Sequence, residues 1–403
     1  MRRLDELALH SDDPANLTRL FLSPSHRAAV DTVMGWMQEA GLEPVLDGIG
    51  NISARYEAEK PDAPALIIAS HIDTVRDAGR YDGTLGVLSA IGVIEELKRT
   101  GTRLPFAVEI IAFGDEEGVR FPVTLSGSRA VAGRFDQARL DHFDEDGFTL
   151  REALFSFGCD ASAIAAIARK PEALVGYVEM HIEQGPVLEN AGVPVGIVTA
   201  INGCSRYRVE LSGFAGHAGT VPMDMRSDAL VAAAEMVLAI ESRGKSLAEC
   251  VATVGRLDVK PNAVNVVPGR VTFTIDIRAP ADCMRGRVVA EILAEIAMIA
   301  EQRSIDIVIT PTHEEPAAPC DPAIVDGLAA AIERHGLPVK KLPSGAGHDA
   351  MVFSGVCPFG MLFVRCERGI SHNPAESITQ EDAETALAVM LDFVMNFRPA
   401  EKH

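Results

Sequence analysis

Ser70-His71-Ile72-Asp73-Thr74 places an imidazole at the end of a short apolar run, with a carboxylate two positions on. The carboxyl end of a strand is where open α/β sheets hold ligands. Asp73 there could accept the imidazole N–H and fix its tautomer, as the partners of metal-bound histidines do. A solitary His-x-Asp is more often structural. Asp82, in Tyr81-Asp82-Gly83, precedes a helical pattern and by itself reads as an N-cap. Gly114-Asp115-Glu116-Glu117-Gly118 follows a second apolar run. Adjacent carboxylates repel one another unless solvent or a cation screens them. One can ligate a metal while its neighbour takes a proton from metal-bound water and returns it to a leaving nitrogen. The plain alternative is an exposed acidic turn. His181 ends the strand-like run Gly176–His181, and His372 lies in the turn Ile370-Ser-His-Asn-Pro374. Alone, each is more often a satisfied polar residue. Together, His71, Asp82, Glu117, His181 and His372 are five candidate ligands at strand ends of one α/β region. Imidazole with carboxylate suits zinc or manganese, with cobalt or nickel as further options.

The elements that must position these groups are visible in the hydropathy pattern. Residues 28–40 have helical spacing, with Gly41 as a stop. Ala65–Ser70 and Phe106–Phe113 are short continuous apolar runs, the mark of strands buried on both faces. A helix over Gly83–Lys98 joins them, which makes a βαβ unit. The pattern changes after about residue 203. Arg206–Leu211, Val251–Leu257, Val271–Arg278 and Ile305–Thr310 read as strands, with helices at about 228–242 and 285–303. The order β-α-β-β-α-β is the ferredoxin-like arrangement. Residues 316–322, with three prolines, read as a linker, and Gly360–Arg365 returns as a strand. The expectation is an α/β fold: a discontinuous domain over 1–202 and 317–403, interrupted by a second domain over 203–316.

The chain has 403 residues, which favours two domains over one core. Its formal net charge of −20 disfavours nucleic acid and anionic membrane surfaces as partners. No apolar run is long enough for a membrane span, and the N-terminal residues do not form a signal peptide. The seven cysteines are dispersed, which argues against a disulfide framework and a cysteine zinc site and fits a reducing cytoplasm.

Taken with their neighbours, the motifs carry a family. His71-x-Asp73, Tyr81-Asp82-Gly83, Glu116-Glu117-Gly118, His181-Ile-Glu-Gln184-Gly185 and Gly369-Ile-Ser-His372-Asn-Pro-Ala-Glu376 resemble the hydantoinase/carbamoylase-type amidohydrolases. These belong to the aminoacylase and carboxypeptidase superfamily of dinuclear metallohydrolases. The resemblance implies a mixed-sheet catalytic domain, an α/β/α sandwich, with an inserted ferredoxin-like α+β domain that dimerises. It implies two divalent ions bridged by Asp82 and held by His71, Glu117, His181 and His372, with Glu116 as general base and acid and Asp73 supporting catalysis. A histidine at position 181, where the peptidase branch usually has a carboxylate, points to the amidase branch. His217, in Gly216-His217-Ala-Gly219, resembles the residue that polarises the scissile carbonyl, often across a dimer interface. Asn265 and Arg278 match residues that bind a substrate carboxylate; Gln184, Gly347 and His348 are further substrate contacts. Without the family, Arg278 would read as a surface or salt-bridged strand residue. The implied substrate is a small ureido carboxylate. Segments such as Asp115-Glu-Glu-Gly-Val-Arg-Phe121 are most like the branch acting on allantoate. N-carbamoyl-L-amino acids and β-ureidopropionate are the alternatives. Two rivals remain: a dipeptidase, and a metal-free binding protein on the same scaffold.

Overall fold

The computed structural model describes residues 1–399. Contacts divide the chain into two compact units: one of Met1–Thr199, Cys320–Leu342 and Gly347 onward, the other of Ala200–Pro319 and Pro343–Ala346.

The first unit is built on a mixed sheet. Strands Ala65–His71, Ala107–Phe113, Leu174–Ile182 and Phe359–Val364 form its parallel core, in the order 107–113, 65–71, 174–182, 359–364. Antiparallel neighbours flank it: Ile52–Tyr56 beside 107–113, and Val195–Ile201 beside 359–364. Every residue of the four core strands is buried, as continuous apolar runs require of a sheet covered on both faces. Helix Thr84–Arg99 packs on three of these strands and against helix Gln380–Asn396, which with Pro322–Arg334 covers Phe359–Val364. Ten of the sixteen residues of Thr84–Arg99 are buried, and Lys98 and Arg99 complement its carboxyl-terminal dipole. Three parallel strands thus deliver their carboxyl ends side by side, directly before Ile72, Gly114 and Glu183.

The second unit has a main antiparallel sheet with Asp306–Glu315, Gly203–Ser212 and Arg270–Ala279 adjacent in that order. Leu257–Lys260 and Val251–Thr253 both pair with Arg270–Ala279. Strand Arg270–Ala279 alternates strictly. Val271, Phe273, Ile275, Ile277 and Ala279 are buried, and the residues between them are not. Helices Ala229–Lys245 and Asp282–Gln302 supply Ala232, Met236, Ile240, Val288, Ile292 and Ile296 to the same core. The single strand expected over Val251–Leu257 is in fact two short ones, broken at residues 254–256. The expected linker 316–322 is also more ordered than its prolines suggest. Ala318–Pro319 pairs with Ala200–Ile201, and Asp321 caps a helix that starts at Pro322.

Candidate metal centre

The strand ends gather the expected ligands in the first unit. His71 is the last residue of its strand and 1% exposed. Asp82 does not cap a helix: Gly83 holds the N-cap position at φ 65°, and the Asp82 carboxylate turns to other partners. A Cβ on Gly83 would lie 2.5 Å from the His71 ring, so only glycine permits this approach. Asp82 Oδ1 lies 3.3 Å from His71 Nε2 and 3.0 Å from His181 Nε2. Its Oδ2 lies 3.4 Å from His372 Nε2, which is also 3.6 Å from Glu117 Oε2. His71, Asp82 and His181 form one group able to hold an ion; Asp82, Glu117 and His372 form another; His71, Glu116 and Glu117 a third.

The tautomers support ligation. His71 Nδ1 faces the Asp73 carbonyl at 3.0 Å, and His181 Nδ1 faces that of Ile182 at 2.9 Å. Each Nδ1 therefore carries a proton, and each Nε2 is the nitrogen that faces Asp82. Lone pairs and carboxylate oxygens this close repel one another unless a cation or a proton lies between them. Glu117 Oε1, buried without a hydrogen-bond partner, belongs to the same set. The donor set and the orphaned oxygen fit divalent ions.

The crowded imidazoles and carboxylates also shift one another's proton affinities. Burial raises Glu116 well above the usual carboxylate range, and burial with the neighbouring Asp82 raises Glu117 to about 7. Burial would lower His71, but Asp82, Glu116 and Asp73 together hold it well above its ordinary value. Asp82 is pushed up by burial and more than compensated by His181, His372 and His71, ending well below its usual range.

Asp73 differs from expectation. Its nearest carboxylate oxygen is 3.7 Å from His71 Nδ1, beyond a hydrogen bond, because its own carbonyl takes that proton. The carboxylate instead accepts the N–H groups of Glu116 and Glu117, each at 3.2 Å. It thus sets the loop that carries both glutamates. Gln184, at φ 58°, donates to Asp82 Oδ2 at 2.7 Å and lies 3.3 Å from His372 Nε2. Its amide is therefore engaged with two of the candidate ligands. His348 is buried, its ring edge-on to His181 at 4.5 Å, and burial and His181 hold it well below its ordinary value. Gly347 beside it is exposed.

Two supporting residues escaped the sequence reading. Glu179 accepts from Ser70 Oγ and Tyr177 OH, both at 2.9 Å, and from the Ala350 N–H at 3.1 Å, behind His181. A carboxylate inside the apolar run Leu174–Ile182 was its signal. Arg19 is fully buried and donates to the carbonyls of Ile72, Leu7 and His10 at 2.6, 2.8 and 3.0 Å. It braces the residue between His71 and Asp73; nothing in the sequence marked it.

The remaining candidates belong to the second unit. His217 and Asn265 are brought together: Val266 pairs with His217, and the Ala218 N–H donates to the Asn265 carbonyl at 2.9 Å. Both residues are exposed. His217 Nδ1 accepts the Gly219 N–H at 3.1 Å, so Nε2 carries the proton and faces outward as a donor. Arg278 is on a different strand, in a salt bridge with Asp276 through Nε at 2.8 Å and Nη2 at 3.1 Å, while Nη1 donates to the Gly345 carbonyl at 2.7 Å. Arg206 shares Asp276.

Residues 67–396 match the model of Peptidase family M20/M25/M40. The chain belongs to that family. It is 42% identical to a probable allantoate deiminase of Oryza sativa subsp. japonica, covering 97% of this chain and 87% of the relative. An N-carbamoyl-L-amino acid amidohydrolase of Geobacillus stearothermophilus is 38% identical, with 99% and 98% covered. Among solved structures, a hydantoinase/carbamoylase family amidase from Burkholderia multivorans superposes with a TM-score of 0.92 at 34% identity, covering 98% and 96%. Family membership makes the chain a hydrolase, and these relatives are named for non-peptide C–N bonds. No helix among the described residues is long and apolar enough to cross a membrane.

Proposed function

We propose that the chain hydrolyses the C–N bond of a ureido group borne next to a carboxylate, with allantoate as the leading substrate. The observation that carries this reading is the convergence of three imidazoles and Glu117 around Asp82. The rice relative favours allantoate; the Geobacillus relative, matched over nearly its whole length, favours N-carbamoyl-L-amino acids as the second reading.

In this reading Asp82, His71, His181, Glu117 and His372 would hold two divalent ions, zinc or manganese. Such ions lower the pKa of a bound water and polarise a carbonyl. Glu116 takes the proton of the attacking water and delivers it to the leaving nitrogen. Asp73 holds its backbone in place. Arg278 and Asn265 clasp the substrate carboxylate, and the outward Nε2–H of His217 stabilises the developing oxyanion. Gln184, Gly347 and His348 line the substrate. Allantoate and water give ureidoglycine, ammonia and carbon dioxide.

The second unit, residues 203–316 by sequence, acts in this reading as a dimerisation and lid domain. Phe214, Met223, Met225 and Val264 support this: they lie near His217 and Asn265 in the chain and are strongly exposed, as apolar residues of an interface are in a single chain. In this reading the chain works as a homodimer in the cytoplasm.

The test is ammonia release from allantoate, N-carbamoyl-L-amino acids and dipeptides, with manganese and zinc supplied separately. Turnover of a ureido substrate with either metal supports the reading. Cleavage of dipeptides alone contradicts it.

A further inference from the structure

Glu376 is 4% exposed and joins segments that are far apart in the chain. Its Oε1 accepts the Tyr81 N–H at 2.8 Å and the Asp82 N–H at 3.2 Å. Its Oε2 lies 3.0 Å from the Ser371 hydroxyl, which stands 2.8 Å from Asp82 Oδ2. One carboxylate thus grips the backbone that carries Asp82 and the residue that precedes His372. Gly79 makes the grip possible: a Cβ there would lie 2.2 Å from the Glu376 carboxyl.

The segment around His372 needs such a hold. Arg368, Gly369 and His372 have φ values of 55°, 65° and 53°. The left-handed region is unfavourable for non-glycine residues and persists only where the surroundings impose it. The His372 side chain is half exposed, so packing does not fix it. We propose that Glu376 is a positioning residue that locks the Asp82 and His372 segments in register, so that both serve one metal while Glu376 itself touches no ion. This rests on the metal reading above. A carboxylate retained for folding alone would leave metal affinity unchanged.

The experiment titrates full-length, chelator-stripped wild type, Glu376→Ala, Glu376→Asp and Glu376→Gln with Mn²⁺ by calorimetry. Thermal midpoints of the metal-free proteins are measured alongside. The wild type takes up two ions. Glu376→Ala, and Glu376→Asp with its shorter reach, bind at least one ion about 10–100-fold more weakly, the usual cost of removing an outer partner of a metal ligand. Glu376→Gln stays near wild type, because its amide oxygen serves both backbone N–H groups and its NH₂ reaches Ser371. Activity lost in Glu376→Ala at limiting Mn²⁺ returns with excess Mn²⁺. Wild-type Mn²⁺ affinity in the Ala and Asp variants overturns the proposal, as does a Gln variant no better than Ala. If Glu376→Ala does not fold, the Asp and Gln variants decide. A wild type that binds no Mn²⁺ removes the metal reading, and this inference with it.

Discussion

The surroundings of Asp82 and those of His217 contrast in how firmly they are held. Asp82 is buried, and most of the groups around it are held by hydrogen bonds on their far sides. His71 and His181 are each pinned through Nδ1 to a carbonyl, and the glutamate loop is pinned by Asp73. His217 and Asn265 sit exposed on a two-strand pair, and Arg278 shares Asp276 with Arg206. Groups that must hold charge at fixed spacing are built on strand ends, where neighbouring strands over-determine them. In the proposed reading His217 and Asn265, the exposed pair, meet the substrate on lightly held ground, whereas Arg278 is already braced by Asp276 and the Gly345 carbonyl.

Variants can break that contrast. The largest effect is expected at Glu116. Glu116→Gln keeps metal content unchanged and lowers turnover by about 10²–10⁴-fold, the usual contribution of a general acid–base. Metal analysis beside steady-state rates checks this, and full turnover would remove Glu116 from the role. Arg278→Ala raises KM for carboxylate substrates by about 10–100-fold, the worth of a charged hydrogen-bonded pair. Carboxamide analogues should be little affected, so equal losses for both would sink the anchor. Asp73→Asn replaces one acceptor oxygen with an NH₂ that cannot receive the Glu117 or Glu116 N–H. Metal affinity should drop by about tenfold or more, measured by titration. Unchanged affinity would mean that the glutamate loop holds itself.

The smallest effect is on stability, away from the chemistry. His26 is fully buried, accepts the Leu22 N–H at 2.9 Å and stacks on Phe157. Burial, then Arg19 and Arg120, lower its pKa from 6.5 to about 3. Between those values the unfolded chain binds a proton that the folded chain refuses, so stability falls as pH drops below 6.5 and levels off near 3. The loss reaches about 2 kcal/mol at pH 5. Denaturant melts should show a shallower decline from pH 7 to pH 5 in His26→Gln than in wild type. Parallel declines would show that His26 is not the source.

Much of the first unit was legible because its signals are compositional. Ala65–Ser70 is an apolar run that only a two-sided strand would carry, and the ligand types stand directly after such runs. That Asp82 is not the N-cap became visible only in the structure, through Gly83 at the cap position. What stayed hidden acts through the backbone. Arg19 and the Asp73 carboxylate bond to carbonyls and amides, which every residue has, so no side-chain pattern marks their partners. The break between Val251–Thr253 and Leu257–Lys260 was missed because Val251–Leu257 keeps its strand-like composition across it.

The most direct test of the central claim is the metal content of the chelated and the reconstituted chain, with ammonia release from allantoate followed throughout. Exhaustive chelation should abolish activity, and two divalent ions per chain should restore it. Asp82→Ala, which removes the carboxylate shared by both groups, should neither bind the pair nor recover. Full activity in the chelated protein, or in Asp82→Ala, would contradict the account.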